Sequence, residues 1–294
     1  MGASRRELRV HGNQWNDPVD ISDSKSVYRL VSDFRPDQIY YLPAYHHSSQ
    51  DQTEDEAKVW TASLAVHVQG LAHFLDAIKK CHLPTRTFYA SSSRIFGHAS
   101  ISPQDESTQF RPTCLYGITK VSGMMLADYY RRAHNLYTSS GILFNHESPL
   151  RARQFVSQHI AEGLAGLKSG RITSLQIGSL DSRVDWGHAP DYTRAMQMIL
   201  EVDDPQDFVI ASGEMHSVRE MIEIAAEFLD IPWRECVIES PQILRRNSQE
   251  LCGNSSRLRH ATGWKPSTSF REMVQILAKA AFDREVHGSS VANG

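Results

Sequence analysis

What these 294 residues lack narrows the field first. No apolar stretch approaches the ~20 residues that a membrane-spanning helix needs, so no span is expected. The opening, MGASRRELRV, has no apolar segment of the kind a secretory signal carries. Cysteine is scarce. Cys81, Cys114, Cys236 and Cys252 are scattered without Cys-x-x-Cys spacing, which reads as reduced thiols in a cytoplasmic protein. There is no long Lys/Arg run and the formal net charge is −3, so the footprint of a nucleic-acid surface is missing. The most consequential absence is a glycine-rich turn. Dinucleotide folds receive a pyrophosphate on a strand, a glycine turn and a helix N-terminus. No Gly-x-Gly-x-x-Gly or near variant lies near the start. The nearest pattern, GLAGLKSG at 163–170, falls inside or at the end of a helix.

What is present suits a globular α/β protein: 40% apolar and 22% charged residues, with no repeat or low-complexity tract. SKSVYRLVSDF (24–34) sets Val27, Leu30, Val31 and Phe34 on one helical face. DQIYYLPAY (37–45) and TRTFYASSS (85–93) read as buried parallel strands. A long amphipathic helix is expected over roughly 56–80, a strong helix over 114–135 and a third strand over 138–149. Alternating strands and helices argue for a parallel sheet flanked by helices. After about 150 the texture shifts to helix 154–170, then a strand and loop over 174–192. A helix–strand pair (191–212), helix 217–229, a loop-rich basic stretch and a helix near 270–284 follow. The division expected is a truncated Rossmann-like domain over 1–150 without its first βαβ phosphate-loop unit. A smaller α/β substrate lobe would occupy 151–286, with some segments returning to the first domain, and 287–294 would be a tail.

Three groups of residues carry chemistry. CLYGITK (114–120) holds Tyr116 and Lys120 four apart on a helix, just after a strand ending in Ser91–Ser93. Asn145, His146 and Glu147 form a polar trio at the end of the third strand, where parallel sheets bind ligands. Histidine is abundant at 14 residues. The adjacent His46 and His47 are read as loop residues, or as ligands of a divalent cation (Mg or Mn) together with Glu147 or Asp185. His67 and His73 fall on the long helix and are read as structural.

The segments GILFNHESP (141–149), SLDSRVDWGHAPDY (179–192), DFVIASGEMHSVREM (207–221) and TGWKPSTSF (262–270) resemble the GDP-mannose 4,6-dehydratase family. With DISDSKSVYRLVSDFRPDQIYYL (20–42), the resemblance covers nearly the whole chain. It implies an extended short-chain dehydrogenase/reductase, here a divergent member lacking the N-terminal glycine-rich unit. In that family bound NADP oxidises C4 of the hexose, water is eliminated across C5–C6, and the hydride returns at C6. The resemblance makes Tyr116, Lys120 and Ser92 catalytic. Tyr116 exchanges a proton with a sugar hydroxyl, the Lys120 ammonium lowers its pKa, and Ser92 bonds the reacting oxygen. The family's glutamate base falls at Arg94, and a guanidinium is no base near neutral pH.

The resemblance also puts Asn145, His146 and Glu147 beside the sugar and diphosphate. The arginine usual next in that motif is Leu150, and the diphosphate arginine of Arg-Asp-Trp-Gly is Val184. Arg183 stands one place earlier, and Arg219, Arg245 and Arg246 are further diphosphate candidates. Asp185 is assigned to the same substrate side. The absent glycine turn, the absent glutamate and Arg94 in its place lead to one expectation: a GDP-hexose isomerase or mutase working without nicotinamide, such as a pyranose–furanose interconverter. The alternatives are an NADP-dependent dehydratase, epimerase or reductase, and a sugar-nucleotide-binding pseudoenzyme. A homodimer paired through helices that include the Tyr116 helix is expected, with no nucleic-acid or membrane partner.

Overall fold

The computed structural model describes residues 8–10, 13–15, 19–45, 55–243 and 250–291. Strands β1 (Leu8–Val10) and β2 (Asn13–Trp15) pair as a small antiparallel ribbon. Asp23 then starts α1 (Ser24–Phe34), its carboxylate accepting from the amides of Lys25 and Ser26. The apolar spacing buries Val27 and Val31 completely, and Arg35 ends the helix in the left-handed conformation. Strand β3 (Gln38–Tyr41) follows.

The expected helix over 56–80 is present but interrupted. It runs as α2 (Glu56–Leu64), a π-helical turn (Ala65–Gln69) and α3 (Gly70–Lys80). Next come β4 (Arg86–Ala90), α4 (Leu115–His134) and β5 (Thr138–Leu143).

The strand expected over 138–149 is two strands. After β5 the Phe144 amide donates to Ile210 O, which completes pairing in the first sheet. The chain then crosses into β6 (Asn145–Glu147) of a second sheet. Helix α5 (Val156–Lys168) and β7 (Leu175–Ile177) follow. The stretch expected as loop, holding Asp185 and Trp186, is strand β8 (Arg183–His188). It is bonded on both sides, to β6 and to a later strand, which fixes it as the centre of the second sheet. Then come α6 (Ala189–Glu201), β9 (Phe208–Ile210), β10 (Met215–Ser217) and α7 (Val218–Leu229). The short α8 (Trp233–Cys236), β11 (Val237–Glu239), α9 (Ser256–Thr262) and the long α10 (Phe270–Val291) complete the chain.

The first sheet is wholly parallel, in the order β3-β4-β5-β9. Its central strands are buried on both faces, as such sheets require: every residue of β5 is buried. Alternation splits the core. Tyr89 and Val209 face α1, α3 and α4, while Phe88 and Phe208 face α6 and Trp264. Strand β9 comes from the second half of the chain and returns to this first sheet.

The second sheet has the order β10-β8-β6, with β7 and β11 paired in parallel beside it. Helices α5, α7 and α10 close its core around Trp186, Met221, Ile222 and Val274. The carboxyl ends of β4 and β5 and the start of α4 therefore meet where the chain passes between the sheets. This is the general position of ligand crevices in parallel α/β folds.

Candidate functional site

Strand β4 stops at Ala90, and Ser92 turns the chain by accepting from the Arg94 amide at 3.3 Å. This caps a single 3₁₀ turn, Ser93–Ile95. Gly97 is needed just beyond: its φ is +49°, and an added Cβ would lie 1.7 Å from Arg111 O. That close approach folds the segment back, with the Arg111 amide donating to Ile95 O. The serine turn also touches α4 directly, since a Cβ on Gly117 would lie 2.7 Å from Arg94 O. Cys114 caps α4 by accepting from Gly117 N. Tyr116 and Lys120 then fall one turn apart on the same face.

The structure therefore brings Ser92, Arg94, Tyr116 and Lys120 together. A side-chain hydrogen bond joins Tyr116 to Ser92. Lys120 is 1% exposed and donates to Ala90 O at 2.7 Å. Its Nζ lies 5.1 Å from the Tyr89 ring centre and 5.7 Å from that of Tyr116. Burial lowers the lysine to about 7, so close to neutral pH its charge is only partly present. Burial pushes Tyr116 up to about 12, and the Ser92 bond and the charges of Arg151 and Arg94 pull it back. An ammonium has three donors, and among the described residues Ala90 O accepts one of them. Among the described residues no glycine-rich turn joins a strand to a helix to receive a pyrophosphate.

Across the crevice, Asn145 is exposed. His146 meets Phe144 O through Nδ1 at 2.9 Å and stacks on Tyr192 with centroids 4.7 Å apart. Its burial lowers its pKa, so the ring is neutral. Glu147, 3% exposed, accepts from Ser157 Oγ at 2.7 Å and lies 3.3 Å from Arg151 Nε. Burial raises its pKa, against the pull of Arg151 and Ser157. Arg151 lies flat over Phe155 at 3.6 Å and acts electrostatically on Tyr116, His146 and Glu147 alike. Sequence reasoning missed it by stopping at Leu150, which is 94% exposed. The signal was one place further on, the first cation after the Asn-His-Glu-Ser-Pro run, two residues past Pro149.

The remaining candidates lie apart from this cluster or are otherwise engaged. Asp185 is fully buried. Its Oδ1 accepts from Ser212 N at 3.0 Å and Ser212 Oγ at 2.6 Å. Its Oδ2 accepts from Gly213 N at 3.1 Å and Gly253 N at 3.0 Å. Both oxygens thus hold loops together. Arg183 is exposed and donates to Met215 O at 3.2 Å. Arg219 is exposed against Asp181 at 2.9 Å. His46, His47, Arg245 and Arg246 lie outside the described residues. Among the described residues no three His, Cys, Asp or Glu side chains are grouped to hold a metal ion. No helix among them is long and apolar enough to cross a membrane.

The GDP-mannose 4,6-dehydratase family model matches residues 6–277. The chain is 35% identical over 283 residues to a GDP-mannose 4,6-dehydratase of Drosophila melanogaster, covering 89% of this chain and 70% of that one. It is 33% identical over 298 residues to the Homo sapiens protein of that name, covering 93% and 78%. In fold it resembles RMD from Pseudomonas aeruginosa, solved with NADPH, with a TM-score of 0.81 at 21% identity over 91% of this chain and 88% of that one. The UDP-glucose 4-epimerase of Thermus thermophilus, solved with NAD, gives 0.74 at 20% identity over 90% and 83%.

The match to dehydratases across both lobes overturns the expectation of a non-redox isomerase or mutase, and with it the expectation of no redox cofactor. That reading rested on three absences, and absences weigh less than a family match over residues 6–277. The chain belongs to the GDP-mannose 4,6-dehydratase family.

Proposed function

We propose that this protein is an NADP-dependent enzyme acting on the hexose of a GDP-sugar, in the manner of GDP-mannose 4,6-dehydratases. The observation that carries the reading is the Ser92–Tyr116–Lys120 constellation at the carboxyl ends of the parallel strands. The nicotinamide, when bound, accepts and returns a hydride. Tyr116 Oη takes the proton of the sugar hydroxyl being oxidised and later gives one back. Ser92 Oγ holds that oxygen in place, and the spare N–H groups of Lys120 hold ribose hydroxyls. Asn145, His146 and Glu147 face the sugar from β6. Arg151, with Arg183 and Arg219 at the rim, supplies positive charge for the diphosphate.

Arg94 favours a second reading. Where the family resemblance calls for a carboxylate base at the C5 proton, a guanidinium cannot abstract it. Oxidation at C4 and return of the hydride to the opposite face without loss of water, an epimerase, is the outcome that this substitution supports. One experiment separates the readings: purified protein, GDP-mannose and NADP, with products followed by mass and by proton NMR of the sugar. Nicotinamide-dependent loss of one water supports the dehydratase. A nicotinamide-dependent sugar change without that loss supports the second reading. No nicotinamide-dependent change sinks both.

Three coarser features complete the proposal. Residues 1–150, apart from β6, act as the cofactor-side lobe, and residues 151–286, apart from β9, as the sugar-side lobe. The exposed Ile118, Met125 and Tyr129 on one face of α4 support pairing into a homodimer. Four free, scattered cysteines support a cytoplasmic setting.

A further inference from the structure

His67 lies in the π-turn between α2 and α3 and is fully buried. Such turns carry one residue more than the α-helix allows and often sit at functional sites. Here the turn is clamped from two sides. Tyr41 Oη donates to Val66 O and occupies the space where a Cβ on Gly70 would fall. From α4, Gly123 leaves room for Tyr89 Oη and for His67 O, the latter only 2.8 Å from an added Cβ. The ring of His67 is thereby aimed into the gap between the end of β3 and the first turn of α4.

Its partners fix its protonation. The Tyr45 amide can only donate, and it lies 3.0 Å from Nε2, so Nε2 is the bare nitrogen. Nδ1 then carries the proton and donates to Thr119 Oγ1 at 2.7 Å. Thr119 passes its own hydroxyl proton to the carbonyls of the helix start, Leu115 O at 3.0 Å or Tyr116 O at 3.1 Å. The imidazole also packs at 87° to the Tyr116 ring, with centroids 5.1 Å apart. His73, six residues on, shows what a framework histidine does here: its Nδ1 meets Ile21 O at 2.9 Å, in the loop before α1.

We propose that His67 is a positioning residue for Tyr116, acting through Thr119 to hold the first turn of α4 against the loop that follows β3. The role rests on Tyr116 being the proton-transfer group of the proposed function. Loosening this link lets the phenol drift from Ser92 Oγ, so turnover suffers while the sugar-binding lobe is untouched.

The test compares His67→Phe, which keeps the ring and loses both nitrogens, with His67→Asn, whose amide still donates to Thr119. With GDP-mannose and NADP, kcat of the phenylalanine variant is expected to fall about tenfold, with KM changed less than about twofold. The asparagine variant is expected to recover to within about threefold of wild type. A second measurement needs no turnover: fluorine NMR of protein labelled with 3-fluorotyrosine. The Tyr116 signal, assigned by its loss in Tyr116→Phe, is expected to move in Thr119→Val while that of Tyr137 stays. An unmoved Tyr116 signal in Thr119→Val overturns the proposal. So does a fall in kcat that is equal in both His67 variants and tracks their melting temperatures. If the wild-type protein does not turn over GDP-mannose, the proposed function fails and the NMR result alone decides the role of His67.

Discussion

The two sheets treat their buried polar groups in opposite ways. At the edge of the first sheet, Lys120 is buried with a single acceptor, the Ala90 carbonyl, and Tyr116 is held high by burial. In the second half of the chain two buried carboxylates are spent instead. Asp185 collects four donors, and Asp191 accepts from Ser267 Oγ at 2.6 Å and Thr268 N at 3.1 Å. A buried group with unused hydrogen-bonding capacity is a cost that folding alone does not explain. Groups of that kind, more than charged residues in general, mark where a ligand completes the structure.

The largest effect should come from the first sheet's edge. Tyr116→Phe removes the proton carrier but leaves the ring contact with His67, so kcat is expected to drop about 10²–10⁴-fold with little change in stability. Nicotinamide-dependent turnover of GDP-mannose measures this. Retention of more than a tenth of the wild-type rate would remove Tyr116 from the chemistry and erase the contrast between the sheets.

Lys120→Met should cost activity and yet stabilise the fold. The lysine sits at about 7 in the folded protein against an ordinary 10.5. Below pH 7 both folded and unfolded chains carry the charge, and the folded one bears the full desolvation cost. Between about 7 and 10.5 the unfolded chain binds more proton than the folded one, so wild-type stability rises with pH across that window. The methionine variant is expected to gain up to about 4 kcal/mol at pH 6, fading towards pH 10. Urea unfolding at both pH values reads it. An equal gain at the two would show that the charge is not what the site tolerates for function.

How far the sequence reaches depends on what kind of contact decides each feature. Helix α1 was legible because the spacing of Val27, Leu30, Val31 and Phe34 is a local signal, as was α4 with its Tyr-x-x-x-Lys. The break at Ala65–Gln69 was not, since it depends on Gly70 and Gly123 meeting tyrosines from other strands. The split of 138–149 into two strands depends on Ile210, far along the chain, taking the Phe144 amide. The same holds in the site. Tyr116, Lys120 and Ser92 could be read from their motif and do converge. Arg151 and His67 could not, because their importance lies in reaching Tyr116 through space. The redox character was misread for a related reason: missing motifs were allowed to outweigh the ones present.

The smallest effect sharpens the other side of the comparison. Asp185→Asn keeps shape but turns one of two accepting oxygens into an amine facing the amides of Ser212, Gly213 or Gly253. Burial raises the carboxyl's pKa, and the bonds from Ser212, Gly213 and Gly253 pull it back, so those bonds offset the cost of burying the carboxylate. Losing part of that set is expected to cost about 2 kcal/mol in urea unfolding, with kcat for GDP-mannose within about twofold of wild type. The loops at 212–213 and 253 are what it should loosen, and Tyr116 lies on another element. If the variant instead unfolds normally and loses turnover, Asp185 touches the substrate. A spent carboxylate would then be catalytic, and spare bonding capacity would no longer tell the two sheets apart.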